Sequence, residues 1–438
     1  ILIVNKLTIA QKEIIVMKRS TLTIALFFIL TAALFAQDEN KASVKFYGFV
    51  QTDLIFDTRQ VVAVRDGHFM LYPKPESLDA AGKDLNAKAS FNILAIQTRV
   101  GAKITLPEAI GAKWSGLIEG SFFGMNNMDI NGFRLRHAFV KAQWKTTSAL
   151  FGQYWHPMFV TSCFTGTISF NTGAPFTPFT RNPQVRVTQK VGKINFIGTI
   201  LTQVDFVSTG PVGPNTIYLR NSVLPALNLR VEYFTANKEK GNEFLVGASL
   251  NFKRLIPRIS SDVYDSITDQ TYTYKGIEEV SSLSGMIYFK VKVPAITIKA
   301  AGTYAQDAYN LTMIGGYAVE KVVNPVKGFQ EYTPVSTLAG WTDIHSNGKK
   351  WQVGLFAGYT KNLGSENTIT GPYYSRGSSI DYVYRLSQRF VYNIGKFRIA
   401  PEVEYTVAAY GTPNQYGEVE DAVAVGNLRL LLGFFLFF

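Results

Sequence analysis

The sequence predicts an all-β protein: a transmembrane antiparallel β-barrel of about 16 strands, with short periplasmic turns and long extracellular loops. Three observations predict it. Apolar and polar residues alternate with period two in segment after segment, and after residue 40 no stretch sustains helical periodicity. The connections between those segments alternate in length, which a soluble sandwich gives no reason for. The chain also finishes on "LLLGFFLFF", residues 430–438, where a soluble domain would end in a frayed, solvated tail.

Bulk composition agrees. Of the 438 residues 47% are apolar and only 17% charged, with 32 Phe and 22 Tyr, a mixture suited to many half-buried strands. A single cysteine, Cys163, excludes an internal disulfide framework. The histidines (His68, His137, His156, His345) are scattered, without zinc spacing, and no cofactor is expected.

Domain organisation follows from one apolar run. "MKRSTLTIALFFILTAALFAQDEN" begins at Met17, places Lys18 and Arg19 before an apolar stretch from Leu22 to Phe35, and turns polar after Ala36. These are the regions of a secretory signal peptide over 17–36, too short to span a bilayer comfortably. Residues 1–16 read as upstream sequence in frame, and 37–438 as the barrel. Residues 1–36 hold four bases and one acid, so the remainder keeps +9 of the formal +12.

The first strand, 43–57, is "VKFYGFVQTDLIFD" with its preceding serine: Val44, Phe46, Val50, Leu54 and Phe56 share one face, and Lys45, Gln51, Asp53 and Asp57 the other. The second, 90–105, sets Leu94, Ile96, Val100, Ala102 and Ile104 against Gln97, Arg99 and Lys103. Strands near 113–123, 133–144, 149–155, 184–190 and 194–203 follow, joined on one side by "LPEAIGA", "KTTS" and "VGK". Next come 226–235, 243–254 and 281–292, the last opposing Leu283, Ile287, Phe289 and Val291 to Ser282, Ser284, Lys290 and Lys292. Strands near 296–306, 333–345 and 350–361 lead to 379–394, where Ile380, Tyr384, Leu386, Phe390 and Tyr392 oppose Asp381, Arg385, Ser387 and Arg389. The strand at 397–410 precedes the last, 422–438, with Leu428, Leu430, Leu432, Phe434, Leu436 and Phe438 toward lipid and Asn427 and Arg429 inward.

Long connections fall near 58–89, 156–183, 204–225, 255–280, 307–332 and 362–378, with briefer ones at 124–132 and 411–421. Tyr and Trp near strand ends (Trp114, Tyr304, Trp351, Tyr359, Tyr382, Tyr392) fit interfacial girdles. A closed barrel has no free edge, so the last strand is expected to pair with the first.

The chemistry-bearing pattern is basic. Arg99, Arg134, Arg136, Arg186, Arg385 and Arg389 fall on lumen-facing positions, and Arg181 ends the third long loop. A guanidinium keeps its charge and matches carboxylate geometry, and a narrow channel between low-dielectric walls concentrates its field. The bland reading pairs these arginines with Glu119, Glu232, Glu402, Glu404, Asp53 and Asp381 to stiffen the wall. The loop "HPMFVTSCFTGTISFNTGAPFTPFTRNPQ" contains no Asp or Glu, whereas a cation-selective constriction needs carboxylates. Its phenylalanines either pin the loop to the wall or line a path.

"FYGFVQTDLIFDTRQ", "LRHAF", "GQYWHPMF", "FNTGAPF", "RNPQVRVTQ" and "YLRNS" together resemble the DcaP-like porins of two-membrane bacteria. The resemblance implies a sixteen-stranded barrel, trimers, and passage of small, often anionic solutes. "GFFLFF" resembles the outer-membrane assembly signal, which ends on an aromatic residue. In classical general porins the third long loop folds into the barrel. Outer-membrane lipid and small anionic solutes such as organic carboxylates are the expected partners, with no nucleic acid. An outer-membrane hydrolase using His137 or His156, and a structural barrel that conducts nothing, are the rival readings.

Overall fold

The computed structural model describes residues 42–124 and 127–438; the segments expected as upstream sequence, 1–16, and signal peptide, 17–36, lie outside the described residues. A 16-strand wall runs antiparallel in chain order and closes on itself. Closure is made by Ser43–Asp57 against Val419–Phe437, with Phe49 opposite Phe437 and Asp57 opposite Arg429. Among the described residues the wall itself keeps no free edge strand.

The pleat sorts the side chains as alternation demands. Val44, Phe46 and Val50 are exposed on the outside, while Gln51, Asp53 and Asp57 are buried within. On the closing strand Leu430, Leu436 and Phe438 face out, and Asn427 and Arg429 are fully buried inside.

Two faces differ from expectation. The second wall strand is split into Ser90–Leu94 and Arg99–Ala109, both paired with the first strand. Leu94 lies opposite Asp53 and Arg99 opposite Phe49, so one strand spends an extra residue between these pairs. A single extra residue flips the side chains to the opposite face. Leu94 and Ile96 therefore point into the core, and Phe91 and Ile93 face lipid. A register shift between Ile380 and Val383 likewise buries Ile380. Asp381, expected in the lumen, instead meets Lys361 at 2.8 Å.

Wall height is uneven. Strands Ala112–Ser121, Arg134–Gln143, Thr147–Trp155, Arg181–Val191 and Ile194–Leu201 run 8 to 11 residues, about the length a tilted strand needs to cross hydrocarbon. One strand further along the wall, past Ala226–Asn237, stand Asn242–Asp265 and Gln270–Lys292, of 24 and 23 residues. The expected long loop 255–280 is largely these two strands continuing past the membrane, with Arg258 forked onto Glu278 at 2.7 and 2.5 Å. Other loops are also β-structured: Val61–Val64 pairs with Phe69–Pro73, and Gly315–Asn324 lies between Phe329–Ser346 and Tyr373–Arg376.

Candidate functional site

The third long loop lies inside the barrel. Its two ends are tied together, His156 N donating to Thr180 O at 3.0 Å, and between them it crosses the lumen from wall to wall. Pro157 O accepts from Arg230 and Phe164 O from Lys299. Gly166 N donates to Asp343 Oδ2 at 2.9 Å, Ile168 N and Ser169 N donate to Glu402, and Asn171 Nδ2 donates to Glu404 at 2.8 Å. Arg385 Nη1 donates to Ala174 O at 2.7 Å. A loop without acids of its own can accept this frame of wall carboxylates without like-charge repulsion. Gly166 is required by close approach: a Cβ there would sit 2.4 Å from Arg389 Nη2.

A second insertion packs on it. The hairpin 61–73 enters the lumen, held by His68 Nε2 against Asp53 at 2.9 Å and by Arg429, which donates to Gly67 O at 2.8 Å. Phe69 then meets Phe170, Phe179 and Phe206 with ring centroids 5.2 to 5.8 Å apart. Phe123 stands 4.2 Å from Phe170, and Trp155 stacks on Phe159 at 4.0 Å. Phe159, Phe170, Phe176 and Phe179 of the loop thus belong to a buried apolar core, as the pinning reading expects, while Phe164 is exposed.

The seven expected arginines fall into three settings. Arg99, Arg134, Arg136 and Arg181 gather on the low wall. Arg136 donates to Glu119 at 2.9 Å and Arg99 approaches the same carboxylate at 3.6 Å. Tyr47 donates its hydroxyl to Glu119 as well. Arg134 and Arg181 both hold Asp205, at 2.9 and 2.8 Å. Arg186 sits beside this group, donating to Trp155 O at 2.7 Å with its guanidinium 5.4 Å from the Tyr154 ring. Arg385 and Arg389 lie across the lumen as loop anchors: Arg389 forks onto Asp343 at 2.9 and 3.0 Å, and Arg385 spans Ala174 O, Leu71 O and Glu404.

The partner acids differ from the expected set. Glu119 and Glu404 pair with arginines as expected. Glu402 instead accepts from Ile168 N, Ser169 N and the Ser387 hydroxyl. Asp53 binds His68 and Gln51, and Glu232 accepts from Tyr288. Asp205, Asp343 and Asp57 supply the missing charge. Asp205 lies in the fourth long loop. Burial opposes its ionisation, but Arg181, Arg134 and Arg65 outweigh that and hold its pKa down at about 2. Arg65, from the first-loop hairpin, is the arginine that sequence reading missed. It lies 4.3 Å from the Phe123 ring and donates to Gly124 O. Nothing local marks it, because the hairpin reaches the cluster only through tertiary folding.

Five guanidinium groups here share two carboxylates among the described residues. Arg65 Nη1, Arg136 Nη1 and Arg181 Nη1 are buried and donate to no acceptor among them. Such donors suit an anion or water. Arg136 and Arg181 also lie 5.9 and 5.1 Å from the Trp155 ring, so positive charge and an apolar face adjoin.

The histidines build no hydrolytic site among the described residues. His156 Nδ1 accepts from Met158 N, and His137 packs on Tyr154 and Trp155 with Glu119 at 4.0 Å. Neither ring meets a Ser or Thr hydroxyl there.

No family model matches the chain, and no curated protein matches it. Solved structures do. The outer membrane channel DcaP of Acinetobacter baumannii is 18% identical, with 92% of this chain and 99% of that one covered at a TM-score of 0.65. OmpT of Vibrio cholerae, outer-membrane expressed, is 12% identical over 92% and 100% at 0.52. An anion-selective porin from Comamonas acidovorans is 10% identical over 91% and 100% at 0.53. At these identities the likeness establishes the porin fold.

Proposed function

We propose that the chain is an outer-membrane porin that lets small hydrophilic solutes through by passive diffusion and favours anions, small organic carboxylates among them. The observation that carries this is the excess of five guanidinium groups over two carboxylates at the edge of the inward loop. Arg99, Arg134, Arg136, Arg181 and Arg186 handle the anion, with Arg65 joining them. Arg385 and Arg389 act one step back, by holding the loop against the far wall. The periplasmic half of the lumen carries Lys45, Lys103 and Lys190 exposed, which extends the positive path. DcaP is a channel and the Comamonas protein an anion-selective porin, and both support the reading.

Three copies would assemble through the low wall between residues 112 and 201, whose outer face is apolar and rises little above the membrane. A trimer form of the Vibrio protein among the matches supports this. Residues 17–36 would direct export and be removed.

The test is solute flux into liposomes carrying the purified protein. Small dicarboxylates should enter faster than cations of equal size, and Arg134→Ala/Arg136→Ala should narrow the difference. Equal rates for both would refute the anion assignment. A second reading, a barrel that stays shut, is favoured by one observation: Phe123, Met158, Phe176 and Phe179 are almost fully buried inside the lumen. Absence of flux for every solute would select it.

A further inference from the structure

The short-turn rim is where the chain concentrates unpaired positive charge. Seven turns join the wall strands on that side, at 110–111, 144–146, 192–193, 238–241, 293–295, 347–350 and 395–396. They carry seven lysines and one acid, Glu239. Lys193, Lys238, Lys240, Lys349, Lys350 and Lys396 are all exposed and form no ion pair among the described residues. The eight connections on the opposite side hold 18 acids and 12 bases.

A second observation places these lysines at a membrane boundary. Trp351 is exposed on the outer face and stacks on Tyr392 at 3.8 Å. Trp114 and Trp144 give their indole N–H to Ala109 O and Ile110 O, at 2.8 and 3.2 Å, which leaves their apolar edges for lipid. Three of the five tryptophans thus mark one level, where aromatic rings sit between hydrocarbon and headgroups. The turns are two to four residues long, so their lysines stay within a residue or two of that level. A flexible four-carbon stem lets each ammonium reach the headgroups beside it.

We infer that the short-turn rim binds anionic phospholipid headgroups of the adjoining leaflet. A phosphodiester with net negative charge complements lysines that have no acid of their own, and a zwitterionic headgroup offsets its phosphate with an amine. Cell-wall carboxylates are another acidic partner in that compartment, but turns this short hold the lysines against the bilayer. The inference needs the barrel to span a membrane and is independent of what passes through it.

Tryptophan quenching by brominated lipids tests it. The purified barrel is placed in phosphatidylcholine vesicles, and brominated phosphatidylglycerol is compared with brominated phosphatidylcholine at low salt. The intact protein should favour the anionic lipid about fivefold, with the preference shrinking as salt rises. Changing these six lysines and Lys145 to Ser should abolish it, and changing them to Arg should keep it. The seven side chains form no ion pair among the described residues, and Lys350 meets the Tyr392 ring only at 5.6 Å, so both variants should retain the barrel spectrum. Equal quenching by the two lipids in the intact protein, or an unaltered preference in the Ser variant, overturns the inference. Sedimentation with isolated peptidoglycan that the Ser variant loses, without a lipid preference, overturns it in favour of a cell-wall partner.

Discussion

Substituting Asp343→Asn should release the inward loop. Asp343 is fully buried and has three partners: Oδ2 accepts from Gly166 N, both oxygens neutralise Arg389, and Oδ1 meets His345 Nδ1 at 3.0 Å. The amide keeps the shape and removes the charge. The hydrogen bond from Gly166 loses charge assistance, worth about 1 kcal/mol. The larger effect falls on Arg389, because breaking a buried ion pair from one side costs about 3–5 kcal/mol. Gly166 lies directly over that guanidinium, so the loop is what keeps it from water. Lifting the loop rehydrates the charge, and the penalty appears as easier loop opening. A loss of about 4 kcal/mol speeds amide exchange by roughly a thousandfold where opening controls it. Hydrogen exchange read by mass spectrometry over residues 164–170 measures this directly. Asp343→Asn/Arg389→Met should restore protection, since removing the guanidinium leaves no stranded charge beside the neutral amide. Unchanged exchange in Asp343→Asn, or equally fast exchange in the double variant, would refute the reasoning.

Three further outcomes follow from the same geometry. Arg134→Ala/Arg136→Ala removes two charges; at ~6 Å in a water-like dielectric each is worth about 0.7 kcal/mol, so anion partitioning should fall roughly threefold per charge, read from zero-current potentials. Phe170→Ala empties a position packed against Phe69, Phe123 and Phe179 and should cost about 3–5 kcal/mol of local loop stability, seen as faster exchange across 156–180 with the barrel spectrum retained. Asp205 has a depressed pKa, so the stability it lends is complete above its ordinary value of 3.8 and is lost as pH falls through about 2. Protection of the fourth long loop should therefore persist at pH 5 and weaken near pH 2, and loss by pH 5 would contradict the Asp205 clamp.

The wall was legible because lipid imposes a rule on it. Val44, Phe46 and Val50 must face hydrocarbon, so their alternation with Gln51 and Asp53 survives in the sequence. The rule fails where one extra residue enters the ladder. Ala95–Thr98 contains no Gly or Pro to announce a bulge, and Leu94 and Ile96 look like continued outer positions. Long loops were legible as connections but not as structure: the 255–280 segment mixes apolar and polar residues on both faces, and period two carries no signal without a solvent boundary. The lumen shows the same limit. Arg99, Arg134, Arg136 and Arg181 were visible on their own strands. Asp205 and Arg65 come from loops whose positions depend on the aromatic core they pack against.

Charge preference of the conducting barrel is the most direct test of this account. Purified protein in a planar bilayer, under a tenfold KCl gradient, should give a zero-current potential of the sign set by chloride. A potential of the sign set by potassium would contradict the arginine cluster as the element that governs passage.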